Sequence, residues 1–237
     1  ATHNTNYKVI AEETLDYVLR EMTNPEGGFY SAQDADSEGE EGKFFLWTLK
    51  DIEQILGNDM APILCEHLGV TAAGNFGNFN ILNITKTTEE LARESQLPIG
   101  EIQAQISSAK EKLLGARFNR IAPLTDTKIL TAWNGLMLNS MALAGSILGR
   151  NDYIAAAVKN ATFLLENLQV EERIFRSRND GQSYGKGYLE DYAALADGLI
   201  TLYEATLDAK WIKEVISIVD RMIDLFWDDN LNQFFDT

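Results

Sequence analysis

Apolar residues recur at helical spacing along most of the chain. In the segment 7–22 the apolar positions fall three or four residues apart, which is typical of one face of an amphipathic helix. Short polar turns, which place successive helices side by side and antiparallel, separate several of the later segments. The pattern therefore predicts a mainly α fold of helical hairpins, with further helices over 98–114, 129–148, 153–168, 189–205 and 211–226.

Two aromatic segments near the N-terminus interrupt this helical pattern. They are GGFYS (27–31) and KFFLWT (43–48), and they flank a polar, glycine-containing stretch. Aromatic residues on both sides of a polar turn favour paired β-strands. The sequence therefore predicts a short β-hairpin insertion whose long tip is the stretch between them.

A weak internal repeat links three parts of the chain. The segment 17–31 aligns without gaps to 163–177, and Leu225 and Phe235 occupy matching positions in a third copy. Each copy is an amphipathic helix, a polar turn and a short strand with a central Phe. Such units stack because none can bury its apolar face alone. The third copy stops in mid-unit, so we expect 1–237 to be a single domain that is an incomplete portion of a longer array, with an open edge where two copies of the chain could pair.

Charge and composition limit the classes of partner. The net charge is −16, which argues against binding to nucleic acid or to an anionic membrane surface, because like charges repel. Cys65 is the single cysteine, so no internal disulfide can form, and a reducing, cytoplasmic location is expected. The best apolar run, 135–149, is too short to cross a bilayer.

Four motifs carry a family resemblance: PEGGFYSAQDADSEGEEGKFFLWT, LTAWNGLM, YLEDYA and LYEAT. With these motifs the chain resembles the YyaL family, which includes the spermatogenesis-associated thioredoxin-like proteins. The resemblance implies an (α/α) toroid of the six-hairpin glycosidase type, similar to sugar 2-epimerases, and a thioredoxin-like domain as a partner in the full-length protein. It implies no activity. The family has two adjacent acids before Lys128, whereas this chain has Asp126 and then Thr127.

The stretch 34–41 holds five carboxylates, which could form a metal site, supply acid/base groups or belong to a solvated loop. The spacing of Asp34, Asp36, Glu38 and Gly39 imitates the start of an EF-hand loop. However, Phe45 stands at the twelfth position, where a bidentate Glu is required. His3 and His67 are too far apart for a zinc motif. We therefore predict no metal and no cofactor.

In a ring of alternating outer and inner helices, every outer-to-inner connection lies at the same end. Three polar connections are therefore expected to converge on one mouth of the ring. Their aromatic side chains and their amide and carboxylate groups suit a sugar. Aromatic faces pack on the C–H side of a sugar ring, and amides and carboxylates bond its hydroxyls. The predicted substrate-binding residues are Glu38, Lys128, Trp133, Asn134, Tyr188 and Tyr192.

The predicted catalytic residues are the carboxylates of the same connections: Asp34, Asp36, Glu190 and Asp191. Two carboxylates about 5 to 9.5 Å apart can hydrolyse a glycoside. An epimerase usually needs a His base, and these connections contain none. The structural alternative is that Glu190 and Asp191 stabilise a helix N-terminus, that Trp133 lies in the core, and that the acidic run is a solvated tip.

Two functions follow from this interpretation. The first is a toroid that binds or processes a small-molecule carbohydrate, in the manner of a glycosidase or an epimerase. The second is a non-catalytic interaction module attached to a thioredoxin-like redox domain.

Overall fold

The structure, a computed structural model, describes residues 5–237 and contains two compact units. Within the described residues, unit 1 comprises 5–32 and Thr125–Thr237, and unit 2 comprises Gln33–Leu124. The single domain over 1–237 stays a prediction.

Helices dominate the described residues. In chain order they are α1 Thr5–Glu21, α2 Leu49–His67, α3 Thr88–Ser95, α4 Ile99–Arg117, α5 Thr131–Leu148, α6 Asn151–Leu168, α7 Leu189–Thr206 and α8 Ala209–Phe226. The strands are short: β1 Ala32–Gln33, β2 Asp36–Ser37, β3 Glu40–Glu41, β4 Thr125–Asp126, β5 Ile129–Leu130, β6 Gln169–Val170, β7 Arg173–Asn179, β8 Gln182–Lys186, β9 Trp227–Asp228 and β10 Gln233–Phe234. The predicted fold class, mainly α with helical hairpins and short β insertions, is confirmed.

In unit 1 the helices α5 to α8 form two consecutive hairpins. Gly149 ends α5 in the left-handed conformation (φ 68°), which glycine adopts without strain, and α6 begins two residues later. At the next turn the Asp208 side chain accepts the Lys210 N–H at the start of α8. The core between these helices contains large side chains with no exposed surface, among them Leu138, Tyr153 and Leu199.

Glycines let α5 and α7 approach closely. A Cβ atom on Gly135 would lie 2.5 Å from the carbonyl carbon of Ala194, and one on Gly198 would lie 2.7 Å from the carbonyl oxygen of Gly135. Real Cβ atoms do not approach backbone atoms this closely, so the two helices meet through their backbones. This contact fixes the two helix starts that carry the candidate site.

The predicted repeat unit has a structural counterpart. After α1 the chain turns back through a bridge between Thr23 and Phe29. After α6 it turns back through β6 paired with β7, and after α8 through β9 paired with β10. All three helices are therefore followed by a polar turn and a returning segment that pairs with the chain before the turn, which is a strand after α6 and α8 and a single bridge after α1.

The predicted position of the first β-hairpin is wrong. Its strands lie inside the acidic run, where β2 pairs antiparallel with β3 and Glu38 and Gly39 form the turn with φ of 55° and 77°. In the segment KFFLWT, residues 43–45 form a turn and Trp47 makes an isolated antiparallel bridge with Asn80. Phe44 and Trp47 are both buried.

A second hairpin was not predicted. The strands β7 and β8 pair through a turn at Asp180 and Gly181, both with positive φ. An Asp-Gly pair is a strong hairpin signal because both central residues of such a turn need φ above zero. The extended β7 strand places Arg176 near the start of α7.

Unit 2 packs α2 and α4 around a separate apolar core that includes Ile52, Leu64 and Ile102. The helix α2 breaks at Gly57 (φ 72°, ψ 178°), and a capping box between Thr48 and Asp51 begins it. The helix α3 was not predicted. Its capping box was the available sequence signal: Thr87 stands three residues before Glu90.

Within residues 5–237, no helix combines the length and the apolar character that a membrane crossing requires.

Candidate functional site

The helices α5 and α7 begin at the same end of unit 1, where one carboxylate contacts both. Asp191 Oδ1 accepts the backbone N–H of Ala132 at 3.1 Å, and its Oδ2 accepts the backbone N–H of Tyr188 at 2.9 Å. Leu130, which precedes α5, supplies no side-chain cap. Asp191 therefore satisfies free N–H groups at the N-termini of two helices at once.

Asp191 is buried, with 1% of its surface exposed. Burial raises the pKa of its carboxyl group, because the charged form loses hydration, while the hydrogen bond from Tyr188 and the positive charge of Arg176 act in the opposite direction. Both oxygens are occupied by backbone donors, so the carboxylate positions the helix starts.

Arg176, on β7, connects the buried carboxylate to exposed groups, and the sequence analysis missed it. Its Nη1 atom lies 2.8 Å from Glu190 Oε1 and 3.4 Å from Asp191 Oδ2. Its guanidinium carbon lies 4.3 Å from the ring centre of Tyr188. Burial alone would lower the pKa of Arg176, but the hydrogen bond that its guanidinium donates to Glu190 and the nearby carboxylate charges outweigh burial, so the pKa is raised. The FRSR sequence (175–178) at the start of the polar connection was the available signal.

Four side chains at this end of unit 1 remain open to solvent. Tyr188 is 38% exposed and Trp133 is 56% exposed, and the side chains of Arg176 and Glu190 are 40% and 56% exposed. Trp133 directly follows Ala132, and Glu190 directly precedes Asp191, so the shared hydrogen bond places both at the same end. We call Arg176, Tyr188, Glu190 and Trp133 the exposed cluster.

Two of the predicted substrate-binding residues are buried. Asn134 accepts the Phe29 N–H at 2.8 Å and donates to the Phe29 carbonyl at 3.0 Å, which attaches the returning strand after α1 to α5. Asn160, also missed by the sequence analysis, donates to Asn134 Oδ1 at 2.9 Å. Tyr192 is fully buried, and its hydroxyl accepts the Ile174 N–H at 3.0 Å.

Lys128 lies on the short connection before α5 and is exposed. Its ammonium lies 3.4 Å from Asp126 Oδ2, and its backbone N–H donates to Asp126 Oδ1. That backbone hydrogen bond is the largest cause that lowers the pKa of Asp126. The neighbouring Thr127 donates from its hydroxyl to Asn179 Oδ1.

The acidic hairpin (34–41) belongs to unit 2. Asp34, Asp36 and Glu38 are exposed, and Asp34 Oδ1 accepts the Asp36 N–H at 3.1 Å. The Lys43 Nζ atom lies 2.7 Å from Glu40 Oε1 and 3.5 Å from Glu38 Oε2. The convergence of this hairpin and the start of α7 on one mouth stays a prediction.

In the part of the chain that the structure describes, no group of three His, Cys, Asp or Glu residues is placed to hold a metal ion. His67 is buried in unit 2, where its Nδ1 lies 2.7 Å from the Lys86 carbonyl oxygen. His3 lies outside the described residues. Cys65 is buried, and burial raises the pKa of its thiol.

Comparison with known proteins identifies relatives over almost the whole chain. The chain is 32% identical to spermatogenesis-associated protein 20 of Homo sapiens over 97% of its length, and 33% identical to the Rattus norvegicus protein over 95%. An uncharacterised protein of Caenorhabditis elegans is 26% identical over 95%. No protein-family profile matches the chain.

These relatives agree with the motifs: the chain belongs to the family of spermatogenesis-associated protein 20. It spans about a third of the length of the human protein (34%).

Solved structures that resemble the chain share little sequence with it. A cellobiose 2-epimerase from Bacillus thermoamylovorans is 10% identical, with a TM-score of 0.45 over 98% of this chain and 58% of the epimerase. A GH76 alpha-mannanase of Bacteroides thetaiotaomicron is 12% identical, with a TM-score of 0.45 over 97% of this chain and 74% of the mannanase.

Proposed function

We propose that this chain binds a carbohydrate through the exposed cluster at the start of α5 and α7. The observation that carries the proposal is the contact set of Arg176, which stacks on Tyr188 and pairs with Glu190 while Asp191 holds the two helix starts together. The proposal rests on these side chains and not on similarity of fold, because one fold hosts many functions.

The chemistry of the cluster matches a sugar on two sides. Tyr188 and Trp133 offer aromatic faces to the C–H side of a sugar ring, and both are exposed enough to be reached. Glu190 and Arg176 offer an acceptor and donors to its hydroxyl groups. The ion pair holds these two polar groups in place before a ligand arrives, which lowers the entropy lost on binding.

Binding is a better supported proposal than catalysis. Glycoside hydrolysis requires two carboxylates that reach the substrate. At the start of α7 only Glu190 is exposed, because Asp191 is buried with both oxygens bonded to backbone groups. Hydrolysis would need a second carboxylate, and the candidates that the sequence offers are Asp34 and Asp36.

The second candidate function is the interaction module attached to a thioredoxin-like domain. The observation that favours it is an apolar face on α5, where Leu136, Leu143 and Ile147 are exposed in addition to Trp133. These positions recur at helical spacing, so they form one stripe that another part of a longer protein can cover. If the chain serves a redox domain, binding to that domain should require this stripe and should not require Glu190.

Titration calorimetry with neutral and acidic oligosaccharides tests the first proposal. Tyr188→Ala and Glu190→Gln are each expected to weaken saccharide affinity about tenfold, the equivalent of about 1.4 kcal/mol. The matched controls are Tyr7→Ala on α1 and Glu204→Gln near the end of α7, both exposed in the native chain. Unchanged affinity in the two cluster variants, or the absence of saccharide binding in the native chain, would contradict the proposal.

A further inference from the structure

The loop GNFGNFN (Gly74–Asn80) of unit 2 presents two aromatic side chains to solvent. Phe76 is 45% exposed and Phe79 is 43% exposed. Aromatic side chains bury large apolar areas in most proteins, so two exposed rings on one short loop call for a physical reason.

The two Phe residues face each other across a tight turn. The Phe76 N–H donates to the Phe79 carbonyl at 3.0 Å, and the Phe79 N–H donates to the Phe76 carbonyl at 3.0 Å. Residues that exchange both hydrogen bonds are directly opposite, and their side chains project to the same side of the pair. Gly77, with φ of 59°, makes the reversal possible.

Further hydrogen bonds fix the base of this turn. The Asn75 side chain accepts the Ile81 N–H at 2.8 Å and donates to the Ile81 carbonyl at 2.9 Å. The buried Asn80 side chain donates to the carbonyls of Trp47 and Thr71. The rings are therefore exposed on a well-connected backbone, which is the arrangement expected of a preorganised binding surface.

The segment that carries the two rings has no charged residue and is rich in amides. The segment 68–85 contains no Asp, Glu, Lys or Arg, although 24% of the whole chain is charged. Asn78, in the same turn, is exposed. Aromatic faces with neighbouring amides, and no charge, suit a ligand that has both C–H faces and hydroxyl groups. The net charge of −16 disfavours an anionic ligand.

We propose that Phe76 and Phe79 form a platform that binds a neutral saccharide. The ligand class is that of the proposed function, but the residues are different and lie in unit 2. Either binding proposal can therefore be wrong while the other is correct.

Amide NMR spectra of the 237-residue chain, titrated with cellotetraose, maltotetraose and mannotetraose, test the platform. At least one of the three is expected to shift the amide signals of residues 74–81. The double variant Phe76→Ala/Phe79→Ala is expected to weaken the binding that causes these shifts about tenfold. Tyr188→Ala should leave them unchanged, which separates this site from the exposed cluster.

Two further variants keep the test decisive. Phe76→Leu/Phe79→Leu retains apolar side chains and the backbone pairing but removes the aromatic faces, so it should also lose the binding. Ile84→Ala removes another exposed apolar side chain of the same segment and should have no effect. Absence of shifts with all three saccharides, equal shifts in the Leu variant, or larger shifts with trigalacturonic acid would each overturn the proposal.

Discussion

The start of α7 and the acidic hairpin are both rich in carboxylates, but their side chains make very different contacts. In the hairpin, five carboxylates lie within 34–41, and the three proposed as site residues are exposed. At the start of α7 there are only two, yet Asp191 contacts two helix starts and Arg176. The number of acids along a segment is therefore a poor measure of their organisation, which depends on donors from distant parts of the chain.

Burial also distinguishes a structural role from a binding role at the start of α7. Asp191 and Glu190 are neighbours in sequence, but one is buried and the other reaches solvent. The buried group fixes the geometry, and the exposed group is available to a ligand.

Removal of the Asp191 carboxylate should strongly destabilise the chain. Asp191→Ala leaves the N–H groups of Ala132 and Tyr188 without their acceptor, which is expected to lower the free energy of unfolding by about 2–4 kcal/mol. Asp36→Ala in the acidic hairpin should change it by less than about 0.5 kcal/mol, as for other exposed positions. Urea denaturation followed by circular dichroism measures both. Similar losses in the two variants would show that the contrast between the regions is wrong.

The hydroxyl group of the buried Tyr192 should contribute more to stability than the hydroxyl group of the exposed Tyr188. Tyr192→Phe leaves the buried Ile174 N–H unpaired and should cost about 1–2 kcal/mol of unfolding free energy. Tyr188→Phe is the matched control and should have almost no effect on stability. Thermal unfolding of both variants provides the comparison, and equal melting temperatures would count against a structural role for Tyr192.

Asp191 should also give stability a distinctive pH dependence. Because burial raises its pKa, the native state binds the proton more tightly than the unfolded chain does between the ordinary aspartate value of about 3.9 and the raised value. The contribution of Asp191 is therefore largest below the ordinary pKa and decreases as the pH rises to the raised one. Above the raised pKa it is constant.

Denaturation of the native chain and Asp191→Asn across this pH range measures that contribution as a difference of unfolding free energies. Asp36→Asn, compared in the same way, is the matched control from the acidic hairpin. The unfolding free energy of the native chain minus that of Asp191→Asn should decrease as the pH rises. An increase of this difference with pH would contradict a raised pKa for Asp191.

Salt should affect the acidic hairpin more than the start of α7. Lys43 lies between Glu38 and Glu40 at the surface, so Lys43→Gln should lower stability slightly at low ionic strength through repulsion between the acids. The effect should disappear at high salt, whereas the loss caused by Asp191→Ala should persist. Melting temperatures at two salt concentrations check this, and a salt-independent effect of Lys43→Gln would contradict it.

Local sequence patterns predicted most of the fold. The helical periodicity identified α1 and α4 to α8, and the repeat anticipated the turns after α1, α6 and α8. The position of the first hairpin was wrong because residues 43–45 form a turn and the buried Trp47 bridges to Asn80 rather than to the segment GGFYS. The helix α3 was missed because its eight residues contain only one buried apolar position, Leu91.

The candidate site was only partly predictable, because its contacts join distant residues. The sequence singled out Tyr188, Glu190 and Asp191 but could not tell which of the acids would be buried. Arg176 was missed because its ion pairs depend on the hairpin formed by β7 and β8. The hydrogen bond from Ala132 to Asp191 spans 59 positions, and no local pattern encodes it.

The most direct test of the account is saccharide affinity in Glu190→Gln, measured by calorimetry beside Glu204→Gln on the same helix. The account predicts about a tenfold loss for Glu190→Gln, no change for Glu204→Gln, and native melting temperatures for both. Equal affinities in the two variants, with both chains folded, would contradict the claim that the exposed cluster binds carbohydrate.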